Sequence, residues 1–237
     1  MTDENKILAI VPARGGSKRL PQKNILNIAG KPLINWTIEA GLGSTFINRL
    51  IVSTDDSNIA DIARSSGADV PFIRPDNLSL DSTTSFEVIE HCLSWVKENE
   101  GVEYDYIILL QPTSPLRNDK DINNAFNILF DKNAQAVISL CETEHSPLWS
   151  NTIDEDSSMK SFLKPDINKT PSQDLPKYYR LNGAIYICQT KALLREKNLY
   201  LKDNIYASIM SKKNSIDIDD QIDFDLAELY LNNKKTK

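Results

Sequence analysis

Residues Ile7-Leu8-Ala9-Ile10-Val11-Pro12 run straight into Ala13-Arg14-Gly15-Gly16-Ser17-Lys18, an unbroken apolar stretch of strand length followed by a turn rich in glycine and cations. A strand without polar alternation is covered on both faces, which is the habit of parallel sheets. The chain that follows keeps the same rhythm. Pro32 suits the opening of a helix over Leu33–Leu42, Arg49–Ser53 reads as a strand, and Ser57–Ser65 reads as a helix that Gly67 can close. Val70–Ile73 is a further expected strand. Phe86, Ile89, Leu93 and Val96 fall on one helical face over 84–96, with Ser82 or Thr83 as the expected N-cap. Strands at Tyr106–Leu110 and Ala136–Leu140 flank a helix near Ile122–Phe130. After a break, a strand at Ala184–Cys188, a helix near Lys191–Lys197 and a last helix from about Gln221 to Leu231 complete the pattern. This alternation predicts an α/β fold with a mainly parallel sheet covered on both sides.

The break lies between Cys141 and Tyr179, where Pro, Ser and Asp replace periodic apolar residues. So long a structureless stretch is unusual inside a compact domain and predicts an extended arm with its own task, the alternative being a mobile surface loop. The expected division is therefore one α/β unit made of residues 1–140 and 181–237, with 141–180 inserted as the arm.

The 237 residues carry 27 Lys and Arg against 33 Asp and Glu, a net charge of −6. That balance argues against a general nucleic-acid surface, so an anionic ligand needs a local basic cluster. No apolar run approaches the roughly 18 residues that span a bilayer, and the first residues lack the pattern of a signal peptide. The expected compartment is the cytoplasm. Three scattered cysteines form neither a disulfide framework nor a zinc motif. His91 and His145 have no evident nucleophile partner, and His91 is expected to pack or to lie at the surface.

In open α/β sheets ligands bind beyond the carboxyl ends of the strands, and four loops there carry chemistry. In the first, Gly15 and Gly16 allow the backbone to turn its N–H groups toward a ligand, and Arg14, Lys18, Arg19 and Lys23 place four cations within ten residues. One cation about 4 Å from a phosphate oxygen gains roughly 4 kcal/mol at an effective dielectric near 20, whereas remote negative charges are screened beyond about 8 Å. The loop thus reads as a polyphosphate cradle, with a solvated basic turn as the alternative, although it matches neither a Walker A motif nor a GxGxxG fingerprint. The second, Gln111-Pro112-Thr113-Ser114-Pro115-Leu116-Arg117, is stiffened by two prolines and offers Gln111, Thr113 and Ser114 as neutral partners for sugar hydroxyls, or is simply a rigid turn. In the third, extended geometry puts Asp217 and Asp219 on one face, where both carboxylates can reach a hard cation such as magnesium; helix capping explains one of them but not both. The fourth holds Arg74, which can read a base edge or pair with Asp76 or Asp81.

Ala13–Lys18 with Lys23-Asn24, Gln111–Arg117, Asn182-Gly183-Ala184-Ile185-Tyr186 and Ser215-Ile216-Asp217-Ile218-Asp219, in that order, resemble the N-acylneuraminate cytidylyltransferases over nearly the whole chain. The resemblance implies a Rossmann-like, three-layer nucleotidyltransferase fold, CTP and a sialic acid-like sugar as substrates, Mg2+ as cofactor, and a homodimer in which the arm reaches over the neighbouring subunit. It implies that Arg14, Gly15, Gly16, Ser17, Lys18, Lys23 and Asn24 hold the CTP phosphates and that Arg74 and the segment around Ser82 recognise cytosine. Gln111, Thr113, Ser114, Tyr186 and Tyr200 would meet the sugar, Asp217 and Asp219 the metal, with Arg14, Lys23 and Asp219 catalytic. The related Kdo cytidylyltransferases look similar at the first loop, but Lys23-Asn24 and the Gln111–Arg117 run favour the sialic-acid branch. Two departures bear on the acceptor. Trp149 and Ser172-Gln173 stand where enzymes for N-acetylneuraminate often carry Lys and Arg-Gln, which points to a sugar less polar at its far end, of the deoxy, di-N-acylated legionaminic type. A non-catalytic sensor on the same fold, or a transferase using another nucleotide, are the competing readings.

Overall fold

A computed structural model describes residues 5–160, 162–163 and 171–235. Six strands form one sheet, in the order β4 (Arg49–Ser53), β1 (Ile7–Pro12), β5 (Tyr106–Leu110), β7 (Tyr179–Gln189), β6 (Ala136–Glu142) and β8 (Ile205–Met210). Every pairing is parallel except the two made by β7, which runs against both β5 and β6. A two-stranded antiparallel piece, β2 (Asn27–Ile28) with β3 (Lys31–Pro32), lies outside it.

The unbroken apolar strands do what their pattern requires. Ile7, Ala9 and Val11 of β1 face one side with Ile34 and Ile38 of α1 (Leu33–Leu42), Ala60 of α2 (Ser57–Ser65) and Phe126 of α4 (Asp119–Asp131). Leu8 and Ile10 face the other side with Ile89, Cys92 and Val96 of α3 (Ser85–Glu100) and Leu193 of α5 (Thr190–Glu196). Alternation of side chains across the pleat thus feeds two cores, and the result is three layers. His91 packs edge-on against Phe72, with ring centroids 4.7 Å apart. A third, smaller core joins Phe224, Ala227 and Leu231 of α6 (Gln221–Lys235) to Ile28, Leu33, Leu116 and Ile218.

Several local expectations change. Val70–Ile73 is not a strand: Asp69 makes one bridge to Ile51, and the chain then leaves the sheet at Pro71, which has no N–H to continue a ladder. The cap of α3 is Thr84, not Ser82 or Thr83; its hydroxyl accepts from the Glu87 N–H while the Glu87 carboxylate accepts from the Thr84 N–H. β8 and the β2–β3 pair are additional to the elements that the sequence pattern predicts. The arm also gives up its ends to the sheet, since Cys141 and Glu142 pair with Arg180 and Tyr179. Between them, among the described residues, only short 3-10 turns form at Pro147–Trp149 and Ser172–Asp174, and the expected arm residues 161 and 164–170 lie outside the described part.

Candidate functional site

The loops leaving β1 and β5 meet the segment before α6 around an open cleft of about 480 Å³, lined among others by Arg14, Ser17, Lys18, Lys23, Asn24, Gln111, Thr113 and Asp219. Two smaller hollows adjoin it. One, of about 260 Å³, shares Pro12, Arg14, Asp81 and Gln111 and adds Arg74, Thr83 and Val88. The other, of about 300 Å³, shares Gln111 and adds Phe86, Leu109, Tyr186, Leu199 and Tyr200. Gln111 therefore stands where three compartments join.

The cations of the first loop are all held by carboxylates. Asp81 bridges Arg14 at 2.6 Å and Lys18 at 2.5 Å through its two oxygens, and Asp219 takes Arg19 at 3.0 Å and Lys23 at 3.9 Å. The Lys23 ammonium also donates to the Ile218 carbonyl at 2.5 Å. Burial pulls the Lys23 pKa below its ordinary value against the opposing charge of Asp219, while hydrogen bonds from Lys18 and then Arg14 hold the Asp81 carboxyl low. The glycines act differently from expectation. Neither has a positive φ; the left-handed residue of this loop is Gln22, with φ 53°. The Gly15 N–H is spent on Asp55 at 3.0 Å, so it is not offered to a ligand. Its hydrogen side chain is required because a Cβ there would sit 2.8 Å from the Asp56 carboxylate, whereas Gly16 faces open space. Asn24 is buried; its amide donates to the Arg14 carbonyl at 3.0 Å and fixes the two ends of the loop.

The acidic segment is anchored from three sides. Ile218, fully buried in the third core, sits between Asp217 and Asp219, and burying such a side chain is worth about 1.5–3 kcal/mol. Its N–H donates to the Thr113 carbonyl at 2.8 Å. Buried Asn182 accepts from the Ser139 hydroxyl at 2.6 Å and donates to the Ser215 hydroxyl at 2.9 Å, tying two strands to the start of the segment. Gly183 follows in left-handed conformation, φ 73°, where the β6–β7 register shifts, and a Cβ on it would meet the Asp217 carboxylate at 3.2 Å. Loss of water around Asp217, reinforced by the charge of Asp219 and opposed by a hydrogen bond from Thr113, lifts its carboxyl above the usual range. Asp220, not Asp217 or Asp219, caps α6 by accepting from the N–H groups of Ile222 and Asp223. Both other carboxylates are thus free of capping. Two hard oxygen donors, one reluctant to ionise without a cation, fit magnesium.

Arg74 is buried at the back of the second hollow. Its Nε donates to the Ser79 hydroxyl at 3.2 Å, its Nη2 lies 3.7 Å from Asp55, and burial lowers its pKa. The alternatives Asp76 and Asp81 are not its partners. Ser82 is exposed and does not line the hollow; Asp81 and Thr83 on either side of it do. Tyr186 and Tyr200 meet edge-on in the third hollow, centroids 6.1 Å apart, and burial beside Tyr200 raises the Tyr186 phenol. Thr113 lines the main cleft, but Ser114 is fully buried and is removed from the set of possible ligand contacts. Arg117, which ends the same run, is also buried; it donates to the carbonyls of Gln111 and Ala184 at 3.2 and 3.1 Å and to the Thr37 hydroxyl at 2.7 Å. It shapes the loop from beneath. Asn182 and Asp55 were missed as site-forming residues. Asn182 was visible only as part of a motif, and Asp55 gave no signal beyond following a strand.

A model of the cytidylyltransferase family matches residues 8–234. The chain is 38 % identical over 229 residues to the CMP-N,N'-diacetyllegionaminic acid synthase of Legionella pneumophila, covering 94 % of this chain and 95 % of that one. It is 37 % identical to the N-acylneuraminate cytidylyltransferase of Escherichia coli over 98 % of this chain and 53 % of that longer protein. It is 32 % identical to the pseudaminic acid cytidylyltransferase of Campylobacter jejuni, over 94 % and 95 % respectively. Among solved structures, a CMP:2-keto-3-deoxy-manno-octonic acid synthetase complexed with CTP superposes with a TM-score of 0.71 over 97 % of this chain and 99 % of that one, at 18 % identity, a likeness of fold.

Proposed function

The chain belongs to the cytidylyltransferase family, and from that premise we propose how its cleft converts CTP and a nonulosonic acid to a CMP-sugar and pyrophosphate. The observation that carries the reading is that Lys23 of the cationic loop and Asp219 of the acidic segment, far apart in sequence, line one cleft 3.9 Å from each other; Asp217 feels both charges but does not itself line the cleft. The anomeric hydroxyl of the sugar attacks the α-phosphorus in line and pyrophosphate leaves, so catalysis is positioning and charge neutralisation. Arg14, Lys18 and Lys23 take up the negative charge of the triphosphate and of the leaving group. Ser17 and Asn24 shape the same wall. Arg74 reads the cytosine edge from the second hollow, and Gln111 and Thr113 meet the sugar at the junction. Asp217 and Asp219 would hold magnesium, which when bound supplies positive charge to the phosphate oxygens.

Within the family, the third hollow favours an acceptor with apolar substituents. Phe86, Leu109, Leu199 and the two tyrosines give it an apolar side, while Thr84, Ser85, Gln111, Lys197 and Asn198 supply polar partners, a mixed lining that suits a deoxy, di-N-acylated sugar of the legionaminic type. Trp149, half-exposed on the arm in place of a cation, supports the same choice. Pyrophosphate release is expected with CTP and not with UTP, GTP or ATP, and faster with legionaminate derivatives than with N-acetylneuraminate, pseudaminate or Kdo. No release with any pair would sink the enzyme reading; equal rates with N-acetylneuraminate would sink the acceptor choice. Lys23→Ala and Asp219→Ala are each expected to lower turnover by at least about 10²-fold, the scale of one lost preorganised contact. The arm, with exposed Ile153 and Met159, is proposed to complete a homodimer.

A further inference from the structure

The loop between β4 and α2 carries two successive aspartates, Asp55 and Asp56, with different surroundings. Asp56 has an ordinary duty: its Oδ1 accepts from the N–H groups of Asn58 at 2.7 Å and Ile59 at 3.1 Å and so caps α2. Asp55 has no part in that cap. Its Oδ1 instead accepts from the Gly15 N–H at 3.0 Å and lies 3.7 Å from Nη2 of Arg74. One carboxylate oxygen thus serves both the loop that faces the phosphates and the guanidinium at the back of the adjoining hollow. The surrounding backbone reinforces the arrangement, since the Arg74 N–H donates to the Thr54 carbonyl at 2.7 Å and the Ala13 N–H to the Ser53 carbonyl at 2.9 Å.

From this shared oxygen we infer that Asp55 is a positioning residue that couples base reading to phosphate binding in the nucleotide site. The inference rests on the proposed role of Arg74. The Arg74 guanidinium is almost entirely buried, 4 % exposed, and its other side-chain contact is the neutral Ser79 hydroxyl. A buried cation that loses its carboxylate turns toward whatever solvent or acceptor it can reach. Its orientation toward a base edge then goes with it. The Gly15 amide needs only an acceptor, not a charge, so the two duties of Asp55 can be separated chemically. Asp55→Asn keeps a carbonyl oxygen for the amide and removes the charge facing Arg74. Asp55→Ala removes both.

The test is titration calorimetry of CTP, UTP and inorganic triphosphate on the full chain carrying D55N, D55A, R74A and the double substitution D55N/R74A. For D55N, binding of inorganic triphosphate is expected to stay at the wild-type level, while CTP weakens and the CTP-over-UTP preference falls by about tenfold, a modest value for a partly solvated charge pair. For D55A, triphosphate binding is expected to weaken as well. In the R74A background D55N should cost no further preference, which is the non-additivity of two residues acting as one. An unchanged CTP-over-UTP ratio in D55N, or losses that simply add in the double variant, would overturn the coupling. A uniform loss of all three ligands in D55N would do the same, because it would mark a general disturbance of the fold. Since the readout is binding, absence of turnover by the wild type would count against the enzyme reading and leave this cycle able to decide the role of Asp55.

Discussion

Asp81 holds two cations with one carboxylate, Arg14 on one oxygen and Lys18 on the other, at the boundary between the main cleft and the hollow of Arg74. A triphosphate that engages those cations must take them from Asp81. Asp81→Asn is therefore expected to tighten inorganic triphosphate binding by about threefold, the modest scale of solvent-exposed pairs. Weaker binding in calorimetry would mean that Asp81 helps the ligand rather than competing with it. Asp217 gives a prediction with a definite sign. Its carboxyl titrates higher in the folded chain than in the unfolded one, so ionising it costs stability as pH rises through the folded value, and the cost is absent below the unfolded value. Asp217→Asn should then raise the melting temperature of the nucleotide-free and metal-free protein at neutral pH, and leave it unchanged below about pH 4, the ordinary range of an aspartate. At this scale the sequence showed well which residues are charged and near a strand end. It could not show that Ser114 turns inward, that Ser82 points away, or that Gly15 spends its amide on Asp55, because those depend on how separate loops pack.

The strand β7 is the element on which the site depends most. Running antiparallel between β5 and β6, it puts Tyr186 into one hollow and Asn182 and Gly183 beside the acidic segment. A side chain at Gly183 would meet both a left-handed backbone and the Asp217 carboxylate. Gly183→Ala is expected to cost about 1–2 kcal/mol from the backbone alone, seen as a lower melting temperature, together with weaker magnesium dependence of turnover. A variant with wild-type stability and activity would show that the bulge relaxes freely. Arg117→Met tests the loop after β5 in a comparable way. Burial pushes the Arg117 guanidinium down to about 9, yet its donors hold three acceptors in place, and leaving those unpaired should destabilise by about 1–3 kcal/mol; denaturant unfolding would measure it. The strong elements were legible because their apolar residues repeat on one face or run unbroken. β8 was not, since on this strand at the sheet's edge Tyr206, Ala207 and Ile209 stay exposed while Ser208 and Met210 are buried, so its apolar residues do not mark one covered face. Val70–Ile73 looked like a strand because propensity does not register a missing partner.

At the scale of the whole molecule, the alternation of strands and helices predicted three layers, and two cores on opposite faces of one sheet form them. The reversal of β7 was not predictable from its composition, as it follows from how the arm leaves and returns. Homodimer formation through that arm is expected to give twice the 26.7 kDa chain mass in light scattering, and a monomer mass would count against it. CTP with magnesium is expected to raise thermal stability, by about 2.7 kcal/mol at a hundredfold excess over its dissociation constant. One consequence concerns mechanical transmission. The arm departs from β6 and rejoins through β7, and the ladder between those strands slips at Ile138 and Leu140, opposite the bend that contacts Asp217. A pull on the arm by anything gripping it would load the rungs from Glu142–Tyr179 to Leu140–Leu181 and then that slipped rung, so tension far out on the surface would reach the acidic pair before it reached Arg74.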